Sequence, residues 1–235
     1  MSTIIETIRK ELIAGADEKT RISGERFFKE EVKLYGLKSA MVTGIAKKYF
    51  KELPDKRKPE VFKLCEELWK SGYLEEAGIA SDWSYAVRKE YRPDDIRLFE
   101  RWVDSFVNNW AACDTVCNHS VGTLIEMFPS TISTLKKWAV SKNLWLRRAS
   151  AVSLIVPARK GLFLPDIFEI ADILLTDTED MVRKGYGWML KSAGNAYMKE
   201  VFEYVLRNKA VMPRTSLRYA IEKMPKELKS LAMAK

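Results

Sequence analysis

Apolar residues recur at intervals of three and four along most of this chain, a spacing that places them on one face of an α-helix. The first stripe runs over residues 2–14, and another runs from Asp55 to Lys70. Further stripes lie at about 94–107, 110–127, 131–140, 145–156, 166–176, 180–193, 198–207 and 214–224. Prolines stand near many of the breaks, and no alternating strand pattern exceeds four residues. The sequence therefore predicts an all-α protein.

The composition excludes several other classes of protein. The chain has 235 residues with 11 Gly and 8 Pro, which leaves little material for strand-turn-strand connections. No apolar run approaches the roughly 18 residues that span a bilayer, and Glu6 and Glu11 argue against a signal peptide. Three cysteines, an odd number, favour a reducing interior over a disulfide framework. We expect one domain, residues 1–235, in a cytoplasmic protein.

Positive charge is concentrated in two blocks. The chain holds 40 Lys+Arg against 32 Asp+Glu, a net charge of +8. Residues 127–165 hold seven basic residues and no acidic one, and residues 205–235 hold eight basic and two acidic ones. A segregated basic surface suits a polyanion, because each neutralised phosphate releases condensed counterions. Solvated lysine faces on helices are the alternative interpretation.

A pattern of apolar, basic, variable and small residues occurs three times. The copies lie at 146–149 (Leu-Arg-Arg-Ala), 182–185 (Val-Arg-Lys-Gly) and 217–220 (Leu-Arg-Tyr-Ala), intervals of 36 and 35 positions. This interval is typical of helix-pair repeats, which stack on one another and present a concave surface. If the three copies superpose in the folded chain, their basic residues form a ladder along one wall of this concave surface.

Two constellations are candidates for chemistry or binding. Trp110 and Asp114 are four residues apart in a helical segment, so they share a face on which a carboxylate can orient water or oppose a developing cation. A core tryptophan beside a capping or salt-bridged aspartate fits the same spacing. Lys184, Trp188 and Lys191 form a cation-aromatic-cation stripe that suits nucleic acid, with core packing as the alternative for the tryptophan.

Metal chemistry has little support in the sequence. Cys113, Cys117 and His119 lie close together, but a structural zinc site needs four ligands, and the third cysteine, Cys65, is distant in sequence. A single histidine excludes a multi-histidine site. We interpret Cys113 and Cys117 as helix-packing residues and expect neither a metal nor a cofactor.

Three segments together resemble the DNA alkylation-repair glycosylases of the AlkD type. They are Trp110-x-x-x-Asp114, residues 143–149 (Asn-Leu-Trp-Leu-Arg-Arg-Ala) and residues 185–191 (Gly-Tyr-Gly-Trp-Met-Leu-Lys), in the order and with the separations of that family. The likeness runs from residues 26–28 through 67–69 to the C-terminal helices. It implies an α-α superhelix of HEAT-like repeats, a C-shaped solenoid with a basic concave face. It also implies excision of N3- or N7-alkylated purines from duplex DNA by a monomer, which would associate with the nucleoid when it acts on DNA.

The resemblance also assigns roles to residues. It makes Asp114, Trp110 and Trp188 the catalytic residues, and it places Arg148 at the DNA backbone. The full set that we expect at the DNA is Arg148, Phe27, Arg147, Lys160, Lys184 and Lys191. Two positions depart from the family pattern: Phe27 stands where the family has a tyrosine, and Ala111 stands where relatives often carry an acid.

The chemistry of the implied substrate is consistent with this site. A cationic alkylpurine is a good leaving group because departure neutralises it, so a single carboxylate that stabilises the sugar oxocarbenium ion is sufficient. Two other functions remain open from the sequence. One is a non-catalytic relative that binds damaged or branched DNA, and the other is a helical-repeat scaffold for another protein.

Overall fold

A computed structural model describes residues 3–234 of the chain, and it is helical nearly throughout. The chain divides into two compact units, Met1–Val116 and Cys117–Lys235. Within residues 3–234 there is no strand, only an isolated parallel bridge between Lys33 and Tyr73. None of the helices in this part of the chain has both the length and the apolar character needed to cross a bilayer. The all-α prediction is confirmed.

The first unit contains seven α-helices among its described residues. They are α1 (Thr3–Ala14), α2 (Glu18–Glu25), α3 (Ser39–Glu52), α4 (Lys58–Trp69), α5 (Leu74–Ala86), α6 (Asp95–Phe106) and α7 (Trp110–Val116). α5 packs on α4, α3 and α7 and is the centre of the unit. A cluster of aromatic rings from Phe62, Phe99 and Trp102 packs edge to face between α4 and α6.

Apolar stripes predicted most of the helices but missed α2, α3 and α16. They also missed α5. Its buried residues cover well over half of the helix circumference; they are Glu75, Glu76, Ala77, Ile79, Ala80, Ser81, Trp83 and Ser84. A helix buried on several sides shows no single apolar face, so its periodicity is weak. The Trp83 indole donates to the carbonyl of Ala46 at 2.8 Å, which fixes α5 against α3.

The second unit continues directly from α7 through a π-helical turn, Cys117–Val121. Its α-helices are α8 (Gly122–Met127), α9 (Ile132–Ala139), α10 (Leu144–Val152), α11 (Ile155–Arg159), α12 (Leu164–Leu174), α13 (Asp180–Ala193), α14 (Met198–Asn208), α15 (Arg214–Ala220) and α16 (Lys226–Met233). The stripe at 110–127 thus forms two α-helices separated by the π turn, and the stripe at 145–156 forms α10 and part of α11.

The three sequence repeats fall on α10, α13 and α15, and α13 packs against both of the others. In each copy the apolar and small residues are buried, as at Leu217 and Ala220. Gly187 brings α13 very close to α15, since a Cβ at this position would lie 2.7 Å from the Cβ of Tyr219. The repeat therefore records the buried contact face of successive helix pairs.

Candidate functional site

Asn109 fixes the start of the helix that carries Trp110 and Asp114. Its buried side chain accepts a hydrogen bond from the N–H of Ala112 at 2.9 Å, which is the geometry of a helix N-cap. α7 therefore begins at Trp110, and Asp114 lies one turn further along the same face. Sequence reasoning missed Asn109, although an asparagine just before a helical stripe is an N-cap signal.

Trp110 is half-buried and held by two neighbouring residues of the first unit. Its indole N–H donates to the backbone carbonyl of Phe27 at 3.4 Å. Its ring stacks on the ring of Phe28, with centroids 5.4 Å apart and planes 24° apart. The Phe27 side chain is 73% exposed. The ring that supports Trp110 is thus that of Phe28, a residue that the sequence analysis did not single out.

Asp114 is nearly buried, with 9% of its surface exposed. Its neighbours Ala112, Cys113 and Val116 are buried as well. A carboxylate removed from bulk water acts on a nearby positive charge more strongly than one in solvent. Asp114 can therefore stabilise a cation that develops beside it.

The π turn Cys117–Val121 follows α7 directly. π-helical turns are rare and frequently occur at functional sites. Cys113 and Cys117 are fully buried and form no disulfide, in agreement with a packing role, whereas His119 is exposed. Among residues 3–234, no group of three or more His, Cys, Asp or Glu side chains could hold a metal ion.

The segment between α2 and α3, which contains Phe27 and Phe28, is anchored near its C-terminal end by Glu75. This buried carboxylate accepts hydrogen bonds from the backbone N–H groups of Tyr35, Gly36 and Leu37 at 3.1, 2.8 and 3.2 Å. Gly36 has φ +96, and a Cβ at this position would lie 2.4 Å from the carbonyl oxygen of Asp17, so only glycine fits. Glu75 therefore fixes the segment that supports Trp110.

The adjacent Glu76 anchors the same segment through a side chain. Glu76 is fully buried and accepts hydrogen bonds from the guanidinium of Arg9 and, at 2.8 Å, from the hydroxyl of Tyr35. Burial, together with this hydrogen bond, raises the pKa of Tyr35. The Tyr35 ring stacks on that of Tyr73 with centroids 4.0 Å apart. The carboxylate pair at the start of α5 thus has a structural role.

An open cavity of about 380 Å³ lies within the first unit and is lined by α2, α3, α5, α7 and the segment between α2 and α3. Trp110, Phe27 and Phe28 line it, together with Ala111 and Thr115 of α7. Asp114 is not one of the described residues that line it. The cavity therefore contacts α7 through Trp110, Ala111, Ala112 and Thr115.

In the second unit, Arg148 is 4% exposed and lies between α10 and α13. Its guanidinium donates to the carbonyl oxygen of Met181, and its side chain lies 3.4 Å from the Cβ position of Gly185. A Cβ at Gly185 would thus be in ordinary van der Waals contact with the arginine side chain. The contact with DNA phosphate that the resemblance implies for Arg148 stays a prediction.

The other cations expected at the DNA have partners within the second unit. Arg147 binds the carboxylate of Asp177 at 2.6 Å and two backbone carbonyls. The three lysines are paired as Lys160 with Glu126, Lys184 with Asp180, and Lys191 with Glu222. These four cations are therefore paired with neighbouring acids.

Three other cations of the acid-free block, Lys137, Lys142 and Arg159, are exposed. Within residues 3–234 their side chains make no hydrogen bond or ion pair. A cation without an internal partner can bind phosphate without first breaking an ion pair with a carboxylate. The sequence alone could not separate these residues from the paired cations, because pairing depends on the tertiary contacts.

Trp188 lies half-buried on α13, between the buried residues Gly187 and Met189. Trp188 is therefore not a fully buried core residue. Core packing was the alternative interpretation that the sequence left open for it. Lys184 and Lys191 lie one turn before it and nearly one turn after it on the same helix.

Packed helix pairs with a recurring buried face define an α-α repeat protein, the class whose helix pairs stack into a superhelix. A family model described as DNA alkylation repair enzyme matches residues 8–224. The chain belongs to this DNA alkylation repair enzyme family.

The chain is also similar to a solved structure described as a predicted DNA alkylation repair enzyme from Enterococcus faecalis. The TM-score is 0.78 at 15% sequence identity, over 90% of this chain and 97% of the other. At this identity the likeness establishes the fold. The comparison with curated proteins gives no match.

Proposed function

We propose that the protein is a monofunctional DNA glycosylase that hydrolyses the N-glycosidic bond of N3- or N7-alkylated purines in duplex DNA. The observation that carries the proposal is the pairing of Trp110 and Asp114 on one face of α7, with Asp114 nearly buried. Membership of the DNA alkylation repair enzyme family supports the choice of DNA as substrate.

The reaction requires one carboxylate but does not require a strong general acid. Cleavage of the glycosidic bond gives the electron pair to the purine, which neutralises its positive charge, and leaves an oxocarbenium ion on the sugar. We assign Asp114 to stabilise that ion and to orient the attacking water. The indole face of Trp110 adds attraction for the same positive charge. The proposal involves no metal and no cofactor.

The second unit is assigned to the binding of the duplex. We propose that Trp188 contacts the lesion nucleotide, an assignment that rests on the resemblance. Among the cations, Lys137, Lys142 and Arg159 are ready phosphate ligands, since they are exposed and have no partner within residues 3–234. Lys160, Lys184 and Lys191 contribute by exchanging a carboxylate for a phosphate. Phe27, with its exposed ring, is assigned to stacking or sugar contact.

The decisive experiment measures release of 7-methylguanine from methylated duplex DNA. The wild type is expected to release the base, and Asp114→Asn is expected to lose release while still binding the duplex. Asp94→Asn is the matched control, since Asp94 is a highly exposed carboxylate in the same unit. Full release by Asp114→Asn contradicts the assigned role.

The same experiment distinguishes the alternative function. If the wild type binds lesion-containing or branched DNA and releases no base, the protein is a non-catalytic relative. The Trp110–Asp114 pair then has a binding role only.

A further inference from the structure

Two of the cations expected at the DNA form ion pairs that solvent can reach. The ammonium of Lys160, which follows α11, contacts both carboxylate oxygens of Glu126 in α8, at 2.9 and 2.7 Å. The ammonium of Lys184 lies 2.8 Å from a carboxylate oxygen of Asp180, one turn earlier in α13. The two lysine side chains are 54% and 32% exposed. An anion from solution can therefore approach both ammonium groups.

The remaining pairs of this set are more enclosed. The side chains of Arg147 and Asp177 are 16% and 8% exposed, and Arg147 also donates to two backbone carbonyls. The side chain of Lys191 is 15% exposed, and its ammonium also lies over the ring of Tyr219. A change of partner is therefore easiest at the two exposed pairs.

An unpaired cation lies directly beside one of the exposed pairs. Arg159 is exposed, and its side chain makes no hydrogen bond or ion pair within residues 3–234, whereas the next residue, Lys160, is paired. The acid that pairs with Lys160 is Glu126, which immediately precedes the acid-free residues 127–165. Neighbouring positions of the chain thus present one cation that is ready for phosphate and one that already has a carboxylate.

The pairing lowers what each lysine can contribute to DNA binding. An ion pair at the surface gives little net stability, so a phosphate can replace the carboxylate at the ammonium. The lysine nevertheless loses its carboxylate when it binds the phosphate, and the free energy of the broken pair is subtracted from that of the new contact. A paired lysine therefore adds less to the affinity for a polyanion than an unpaired one.

We propose that Glu126 and Asp180 compete with DNA phosphate for Lys160 and Lys184 and thereby limit the affinity for duplex DNA. The choice of DNA as the polyanion rests on the proposed function. Phosphate contacts supply nearly all of the binding to DNA that carries no specific target. Carboxylates that compete for the same lysines therefore shorten the time that the protein spends on undamaged duplex.

Fluorescence anisotropy with an unmodified duplex at constant salt tests the proposal. Glu126→Gln and Asp180→Asn keep the size of the side chain and remove its charge, and each is expected to tighten binding about threefold. Glu200→Gln is the matched control, because Glu200 is an exposed carboxylate of the same unit that has no ion pair within residues 3–234. Its affinity is expected to equal that of the wild type. Absence of tightening in either folded acid variant, or equal tightening in Glu200→Gln, overturns the proposal.

A double-mutant cycle separates competition for the lysine from simple repulsion of the DNA. In a Lys160→Ala background, Glu126→Gln is expected to change the affinity little, because no ammonium remains to be released. Asp180→Asn in a Lys184→Ala background forms the second cycle, and thermal melting establishes which variants are folded. Equal tightening with and without the lysine shows that the acid only repels the duplex, and this result overturns the proposal.

These binding measurements and base release can fail separately. Base release by the wild type, together with acid variants that bind no more tightly, overturns the competition and leaves the glycosylase function intact. Tighter binding in the acid variants and the expected cycles, without base release from methylated duplex, contradicts the glycosylase function and leaves the competition intact. Absence of duplex binding by the wild type and all variants contradicts both.

Discussion

The ring of Phe28 stacks on the indole of Trp110 at a centroid distance of 5.4 Å, whereas the preceding Phe27 offers Trp110 only its backbone carbonyl. Adjacent residues of the same type thus have different roles. Phe28 supports Trp110 by stacking on its ring, and Phe27 presents its own ring to solvent.

This difference predicts opposite kinetic behaviour for two matched variants. Phe28→Leu removes the stacked ring and is expected to lower kcat for base release, because Trp110 loses its support. Phe27→Leu keeps the carbonyl that binds the indole and is expected to act mainly on KM for duplex DNA. Steady-state kinetics with methylated duplex measures both. An equal loss of kcat in the two variants contradicts the assignment.

The unpaired cations predict a specific salt dependence. Lys142→Ala is expected to weaken duplex binding and to reduce the slope of log K against log salt by about one. Lys184→Ala is expected to change the slope less, because its ammonium is already paired with Asp180 at 2.8 Å. Fluorescence anisotropy between about 50 and 200 mM salt gives both slopes. A larger change of slope in Lys184→Ala than in Lys142→Ala contradicts the assignment of the unpaired cations as the main phosphate ligands.

Close packing of α13 on α15 predicts a loss of stability in Gly187→Ala. The added Cβ meets the Cβ of Tyr219 at 2.7 Å and the carbonyl oxygen of Ser216 at 2.9 Å, so the helices must separate. We expect a loss of about 1–3 kcal/mol in the free energy of unfolding.

Gly44→Ala is the control for this substitution. Gly44 lies within α3, and an added Cβ has no neighbouring atom within 4 Å. Alanine there is expected to stabilise the protein by up to about 1 kcal/mol, because it restricts the unfolded chain and favours the helix. Urea denaturation measures both variants. Equal destabilisation by the two substitutions contradicts the packing argument.

Buried tyrosines predict a loss of stability in alkali. Burial raises the pKa of Tyr186 from 10.0 to about 12, and its hydroxyl donates to the carbonyl of Leu175 at 2.9 Å. The unfolded chain releases this proton above about pH 10, while the folded chain keeps it, so unfolding is favoured as the pH rises from about 10 to 12.

Burial also raises the pKa values of Tyr35 and Tyr204, so the effects add. Urea midpoints at about pH 8 and about pH 11 are expected to differ more for the wild type than for Tyr186→Phe. The same pH dependence in both proteins excludes a contribution from Tyr186.

The sequence determined the helical architecture, because apolar spacing fixes which face of each helix is buried. It predicted α13 from its stripe and identified the buried face of the repeats from three short copies. It also singled out Trp110 and Asp114, because a spacing of four residues places two side chains on the same face of a helix.

Only the tertiary structure decided which side chains support Trp110 and Asp114. It also decided which cations are left without an acidic partner. The stacking of Phe28 on Trp110 joins residues 82 positions apart, and the clamp of Glu75 on the segment before α3 spans about 40. Arg147 and Lys142 are both basic in the sequence, but only folding brings Asp177 to Arg147. Local spacing sets helix faces, whereas ion pairs and cavities depend on contacts between distant segments, and these contacts leave no periodic signal.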